Sequence, residues 1–158
     1  SLKWIKEDFY MKIKNDVLQA CFDYANKRIT NYKNEIETIK DSIESSDKGG
    51  GDDDASGNGK LFNDLEKNSQ YLIDAQKMLD SLQAISPKMV SDTVVLGSLV
   101  KTTSNNFFIS ISAGKIDIEN LSVFAISPGS PIGMLLKNKT KGNLIEFNGN
   151  TFTITEVI

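Results

Sequence analysis

The chain of 158 residues is 39% hydrophobic and 25% charged, which is typical of a soluble folded protein with one ordinary domain or two small ones. It contains no histidine, which excludes Ser-His-Asp and Cys-His catalysis and the commonest zinc sites. The net charge of −3 argues against a nucleic-acid surface built on bulk positive charge. No apolar run is long enough to span a bilayer. The lone Cys21 excludes a disulfide framework, and we expect it to be buried as a small hydrophobic residue. We also expect a cytoplasmic protein that contacts no membrane.

The first half of the chain has a heptad pattern, with apolar residues spaced alternately by four and three in residues 18–43 and again in residues 61–82. A glycine-rich segment joins the two runs, which favours an antiparallel helical hairpin over an intermolecular coiled coil. Asn68 is the polar exception, and a polar residue at such a position often fixes the register. We call these positions the seam: Leu18, Phe22, Ala25, Ile29, Tyr32, Ile36, Ile39 and Ile43, then Leu61, Leu65, Asn68, Leu72, Ala75, Leu79 and Leu82.

Residues 3–17 extend the first predicted helix beyond the length of its partner and carry an apolar stripe of their own. We predict that this stripe packs against the second domain, and a dimer contact is the alternative. The stripe consists of Trp4, Ile5, Phe9, Ile13 and Val17.

After Pro87 the hydrophobic period changes to that of strands. Asn148-Gly149 lies between two alternating runs and predicts a tight hairpin turn. A short helix is predicted to begin with Ser130 as its N-cap and Pro131 as its first residue. The predicted fold is α+β: an antiparallel coiled-coil hairpin with an acidic, glycine-rich tip, then a small antiparallel-sheet domain with one short helix. The hairpin spans 1–86, its tip 47–60 and the sheet domain 87–158; strands are predicted at 94–100, 107–111, 123–126, 144–147 and 151–155.

One segment of the sheet domain carries a specific motif. Residues 127–133 read Ser-Pro-Gly-Ser-Pro-Ile-Gly, and a Leu-Leu-x-x-Lys helix, Lys141-Gly142 and a closing hairpin follow. Residues 124–158 as a whole resemble the C-terminal domain of the bacterial Gre transcript-cleavage factors. In that family an antiparallel coiled coil precedes this domain, so the resemblance covers essentially the whole chain. It implies an FKBP-like fold for the sheet domain, although no aromatic-lined isomerase site is evident.

The resemblance implies a GreA/GreB-like elongation factor with RNA polymerase as its partner, and not an enzyme. The C-terminal domain would bind the rim of the polymerase secondary channel, and the coiled coil would reach down the channel, with indirect contact to the nascent RNA. No stable cofactor and no small-molecule substrate are expected. The polymerase-docking candidates are Ser127, Pro128, Ser130, Pro131, Met134 and Lys137.

The tip of the predicted hairpin carries three adjacent acids, Asp52, Asp53 and Asp54. By the resemblance they would be the catalytic tip acids, with Asp52 and Asp54 helping to hold a Mg²⁺ shared with polymerase. In the two-metal mechanism of RNA cleavage, one ion activates the attacking water and the other stabilises the leaving oxygen. This tip lacks the Asp-x-x-Glu-Asn-x-x-Tyr-like pattern of the family, so stimulated cleavage and channel occupancy without cleavage both remain open.

The alternative function is a non-cleaving coiled-coil interaction or cation-binding module. The segment from Asp52 to Gly57 matches the first, third, fifth and sixth positions of an EF-hand loop. Lys60 stands at the ninth position, and Asn63 stands at the twelfth, where that loop needs a bidentate Glu. A calcium titration that raises thermal stability would favour this alternative.

Overall fold

A computed structural model describes residues 2–48 and 55–158. The chain divides into two compact units, and we call residues 24–79 the hairpin unit and residues 1–23 with 80–158 the sheet unit. The elements in chain order are α1 Leu2–Lys48, α2 Ala55–Gln83, β1 Leu99–Thr102, β2 Asn106–Ile109, β3 Gly114–Ile118, β4 Leu121–Ile126, α3 Pro131–Leu136, β5 Leu144–Phe147 and β6 Asn150–Val157.

The hairpin unit is the predicted helical hairpin. The rings of Tyr32 on α1 and Tyr71 on α2 lie 5.4 Å apart between centroids, and the seam residues Ala25, Ile39 and Ala75 are buried. The other seam positions of this unit are half-buried, as expected for two helices that cover one stripe of each other. Helix α1 continues to residue 48 and α2 begins at residue 55, so both helices extend into the segment predicted as the tip.

The polar seam residue makes its hydrogen bond within its own helix. The Asn68 side-chain amide donates to the Asp64 carbonyl oxygen at 2.8 Å, one turn earlier in α2. Its side chain is half-buried. Among the described residues, no hydrogen bond from Asn68 to α1 supports a role in fixing the register.

The sheet has six strands in the order β3-β4-β2-β1-β6-β5, and it is mixed. The prediction of a wholly antiparallel sheet is wrong at one place, where β2 and β4 pair in parallel. The unpredicted strand β3 explains this, because it forms an edge hairpin with β4 through a turn at Glu119, which has a positive φ of 55°. The reversal through β3 lets β4 run beside β2 in the same direction.

The predicted strand at 94–100 begins only at Leu99. Gly97 has a φ of +92°, in the left-handed region, so the chain turns there and does not remain extended. A Cβ at Gly97 would also lie 2.9 Å from Ile85, so the turn packs closely on the segment that follows α2. The closing hairpin is confirmed: Phe147 pairs with Asn150 across the Asn148-Gly149 turn.

The sheet unit has apolar side chains on both faces of the sheet. On one face they form a core cluster beside α3: Val94, Val100, Phe107, Ile109, Leu136, Ile145, Phe152 and Ile154. The part of α1 that belongs to the sheet unit, residues 2–23, is called here the base of α1. On the other face of the sheet, the base of α1 makes contact through Cys21, whose Sγ lies 3.7 Å from the Ser110 Oγ. Cys21 is buried, as predicted, and burial raises the pKa of its thiol.

A buried lysine also joins the base of α1 to the rest of the sheet unit. The Lys14 side chain is 1% exposed, and its Nζ donates to the carbonyl oxygens of Met89 at 2.6 Å and Ile158 at 3.2 Å. Loss of water around the ammonium lowers the pKa of Lys14 to about 8.

The apolar stripe of residues 3–17 divides into two parts. Ile13 and Val17 are fully buried in the sheet unit, in agreement with the predicted packing. Trp4, Ile5 and Phe9 are 73%, 68% and 44% exposed, so the prediction is wrong for the first part of the stripe. Within residues 2–48 and 55–158, no helix combines the length and the apolar character needed to cross a membrane.

Candidate functional site

The Ser-Pro-Gly-Ser-Pro-Ile-Gly motif forms a tight turn between the end of β4 and the start of α3. Ser130 has an extended backbone, with φ −66° and ψ 158°, and its Oγ accepts a hydrogen bond from the Gly133 N–H at 3.0 Å. The same hydroxyl donates to the Ser127 carbonyl oxygen at 2.8 Å. The predicted N-cap is therefore confirmed, and Pro131 is the first helical residue, where its missing N–H costs nothing.

The last residue of the motif is a glycine because the turn folds back onto the helix. A Cβ built on Gly133 would lie 2.2 Å from the Ser127 carbonyl oxygen and 2.9 Å from that of Pro128. It would also lie 2.8 Å from the Ser130 Oγ. Two of these three neighbours are backbone atoms, so a side chain at Gly133 requires the turn itself to move.

The end of α3 is joined to the segment before β1. The Lys137 N–H donates to the Gly133 carbonyl oxygen at 3.1 Å and closes the helix. Asn138 follows with a positive φ of 62°, and its N–H donates to the Val94 carbonyl oxygen at 2.9 Å. The Val94 N–H in turn donates to the Lys139 carbonyl oxygen at 2.9 Å. These bonds hold residues 94–96 beside the end of α3, and the two segments form the walls of one groove.

The groove has a volume of about 500 Å³ and a mainly apolar lining. The lining residues are Val94, Val95, Leu96 and Ile109 on one side and Pro128, Gly129, Gly133, Met134, Lys137 and Asn138 on the other. Met134 is 61% exposed at the groove, although Leu136, two residues later, is fully buried. An exposed methionine beside an apolar groove is suited to contact with another protein, because its unbranched side chain adapts to different shapes.

The six predicted docking residues fall into two groups in the structure. Pro128, Met134 and Lys137 line the groove, and Lys137 is an exposed cation at its edge. The hydroxyl of Ser130 and the carbonyl oxygen of Ser127 build the turn, and Pro131 begins the helix. The structure thus brings all six onto one turn and helix, where half act as surface and half as scaffold.

Sequence reasoning missed the opposite wall of the groove. Val94, Val95 and Leu96 were expected to belong to a strand, and an apolar run of this kind gives no sign of the turn that exposes it to a groove. Gly97 is the signal that could have revealed the turn, because a glycine inside a strand pattern often marks a bend.

The predicted acids at the tip, Asp52, Asp53 and Asp54, lie outside the described residues, as does the proposed Mg²⁺ contact of Asp52 and Asp54. Within the described part of the chain, no group of three or more acidic or cysteine residues is placed to hold a metal ion. In the calcium-loop alternative, residues 55–63 would be the fourth to twelfth loop positions, and they are helical. An EF-hand loop must instead wrap its ligands around the ion.

No family model and no curated protein matches the chain. Among solved structures, it is similar to the GreA factor homolog 1 (Gfh1) of Thermus thermophilus, with 16% identity and a TM-score of 0.33 over 87% of this chain and 94% of that one. A second structure, of the transcription factor Gfh1, shows 15% identity and a TM-score of 0.33 over 86% and 92%. Gfh1 of Thermus aquaticus shows 19% identity and a TM-score of 0.32 over 88% and 94%. At these values the likeness alone assigns no function to this chain.

Proposed function

We propose that this chain is a Gre-like transcription elongation factor that binds RNA polymerase through the groove beside α3. The observation that carries the proposal is the Ser-Pro-Gly-Ser-Pro-Ile-Gly turn, which residues 127–133 build around Gly133 with an exposed methionine beside it. The sequence resemblance to Gre factors includes this motif, and the same chain contains a helical hairpin N-terminal to the sheet, in the family's order. We place its action in the cytoplasm.

The hairpin would carry the acids of the tip into the secondary channel, toward the magnesium ions of the polymerase active site. There Asp52, Asp53 and Asp54 would help to hold the weaker of two Mg²⁺ ions, so that polymerase itself cleaves backtracked RNA. In this proposal the chain is not an enzyme and holds no stable cofactor. A hairpin that occupies the channel without holding the ion would instead regulate the active site without cleavage.

Binding of purified core polymerase tests the docking surface. Met134→Glu places a charge at the groove without cost to folding, because the side chain is 61% exposed, and we expect at least about tenfold weaker binding. Leu144→Glu is the matched control, since Leu144 is 68% exposed on β5 and does not line the groove. Equal affinity of both variants would assign binding to another surface, and no binding of the unaltered chain at micromolar concentration would refute the function.

A stalled, backtracked polymerase complex with Mg²⁺ tests the role of the tip. If the tip acids hold the second ion, the unaltered chain shortens the RNA, and replacing all three aspartates with asparagine abolishes shortening while polymerase binding is unchanged. Binding without shortening by the unaltered chain would identify a regulator that occupies the channel.

A further inference from the structure

The only arginine of the chain and three of its four tyrosines gather on one face of the hairpin unit. Tyr24, Arg28 and Tyr32 follow one another at intervals of four along α1, and Tyr71 of α2 adjoins Tyr32. We call these four residues the arginine–tyrosine face. The seam accounts for Tyr32, and the ring contact across the two helices accounts for Tyr71, so helix pairing leaves Tyr24 and Arg28 unexplained.

Arg28 is held in place from two sides. The carbon of its guanidinium group lies 4.5 Å from the centroid of the Tyr24 ring, within the range of a cation–π contact. Its Nη1 donates to the Tyr32 hydroxyl at 3.1 Å. Arg28 is half-buried by these neighbours, yet only one of the five N–H groups of its guanidinium is used in this bond. The geometry leaves a fixed cation with donors that remain available.

A concave site of about 380 Å³ adjoins this arginine, and its lining contains cations and aromatic rings but no acid. It is lined by Tyr24, Lys27, Arg28, Asn31 and Tyr32. Among the described residues, neither Lys27 nor Arg28 is ion-paired with a carboxylate. Asp74 lines the neighbouring cavity with Arg28, but its Oδ1 accepts a hydrogen bond from Gln70 at 3.1 Å.

We propose that the arginine–tyrosine face is a docking site for an acidic segment of a partner protein, which places a carboxylate on Arg28 and an apolar or aromatic side chain against Tyr24. A guanidinium matches a carboxylate with two parallel hydrogen bonds, and prior stacking lowers the entropy lost on binding. Tyrosine and arginine are also the residues that most often dominate the energy of protein interfaces.

A nucleic-acid strand is the occupant that the charges disfavour. Single-stranded RNA or DNA carries one negative charge per nucleotide and needs a cationic groove along its path. Residues 24–48 and 55–79 contain eight basic and eight acidic residues, so the hairpin unit has no such track beyond Lys27 and Arg28. One carboxylate-bearing segment requires only the local pair of cations.

The single arginine makes the test direct, because its side-chain Nε–Hε group gives one signal in a ¹⁵N-labelled sample of the full chain. The probes are a short synthetic peptide containing Glu-Phe-Glu, its Gln-Phe-Gln counterpart and a short oligouridylate. We expect a saturable shift of the arginine signal with the glutamate peptide, with affinity at least about tenfold weaker for the glutamine peptide.

Three variants separate the site from the general charge of the hairpin. Arg28→Lys keeps the charge but loses the forked donors, and we expect about tenfold weaker peptide binding, measured by the shifts of backbone amides near residue 28. Tyr24→Leu keeps apolar bulk and loses the stacked ring, with a smaller loss of roughly threefold. Lys33→Gln removes a charge outside the cavity lining and leaves affinity unchanged. Circular dichroism checks that each variant keeps its helical content.

Three results would overturn the proposal: no saturable shift with the glutamate peptide, equal affinity for both peptides, or tighter binding of the oligouridylate. The last result would identify a nucleic-acid contact in place of a protein one. The proposal does not depend on the polymerase-docking groove, which lies in the sheet unit. Met134→Glu should therefore leave peptide binding unchanged, so the two proposals can fail separately.

Discussion

The two units of this chain bury their side chains to different degrees. In the described part of the hairpin unit only Ala25, Ile39 and Ala75 are buried, whereas the sheet unit has fully buried residues such as Phe108 and Leu136. Two helices can cover only one stripe of each other, while a sheet with helices on both faces encloses side chains completely. The hairpin therefore depends on the spacing of one stripe, and the sheet unit depends on close contacts at individual positions.

This difference also separates the two candidate binding surfaces. The motif in the sheet unit is a scaffold in which Gly133 touches backbone, so its shape cannot change without a change in the fold. The arginine–tyrosine face is made of half-exposed side chains on a helix surface, and substitutions there should alter binding while the helices persist. Substitutions of single residues can test this comparison in each unit.

The largest effect is expected for Gly133→Ala. The new Cβ would lie 2.2 Å from the Ser127 carbonyl oxygen, and relief requires movement of the turn or of α3. We expect the sheet unit to lose about 3 kcal/mol of its free energy of unfolding, the upper part of the range for overpacked positions. Hydrogen exchange of the amides in β1 and β6 measures this loss without interference from the hairpin unit.

Gly129→Ala is the matched control, in the same turn and four residues earlier. A Cβ there meets nothing within 4 Å, so we expect a change of no more than about 0.5 kcal/mol. If the two substitutions cost the same, close packing does not explain the glycine of the motif, and the sheet unit is as tolerant as the hairpin.

The same difference explains how much of the fold could be predicted from sequence. The hairpin needed only the heptad spacing, which is local, and the cap at Ser130 needed only the Ser-Pro pair. Strand β3 was missed because its Lys115 and Asp117 are exposed at the sheet edge, so the segment has no buried run. The parallel pairing of β2 with β4 could not be predicted, because it depends on where that missed strand reverses the chain.

The candidate sites show the same limit. The motif was visible as a string of residues, but the groove was not, since residues 94–96 reach it through long-range hydrogen bonds, from Val94 to residues 138 and 139 and from Gly97 to Ile109. The stacking of Arg28 on Tyr24 follows from an interval of four on a helix and was within reach of sequence reasoning. The contact of Arg28 with Tyr71 by way of Tyr32 could not be predicted in this way, because it depends on how the two helices pair.

A second prediction concerns the buried Lys14 of the sheet unit, whose pKa is lowered to about 8 from the usual 10.5. Between these values the unfolded chain binds a proton that the folded chain has released, so stability rises with pH. We expect a rise on the order of 2 kcal/mol between pH 7.5 and pH 9.5 from this group. Denaturant titrations of the unaltered chain and of Lys14→Met measure it as the difference between their two pH profiles.

That difference is needed because Cys21 acts in the opposite direction. Burial raises the pKa of its thiol, so its contribution to stability falls as pH rises above the ordinary thiol pKa, but it is present in both chains and cancels. If Lys14→Met shows the same profile as the unaltered chain, Lys14 is hydrated in solution. The sheet unit then does not enclose its side chains completely, and its contrast with the hairpin unit is smaller than the structure indicates.

The smallest effect is expected at Asn68 in the seam. Its amide bonds to the Asp64 carbonyl oxygen of its own helix, so Asn68→Leu removes no bond to α1 and adds apolar contact at a half-buried position. We expect the hairpin unit to gain about 1 kcal/mol of stability with an unchanged mass in solution. Thermal unfolding followed by circular dichroism, together with light scattering, measures both. If the Asn68→Leu variant instead associates or changes its helix pairing, Asn68 selects the register. The hairpin unit would then depend on one particular residue, like the sheet unit, and not on the heptad spacing alone.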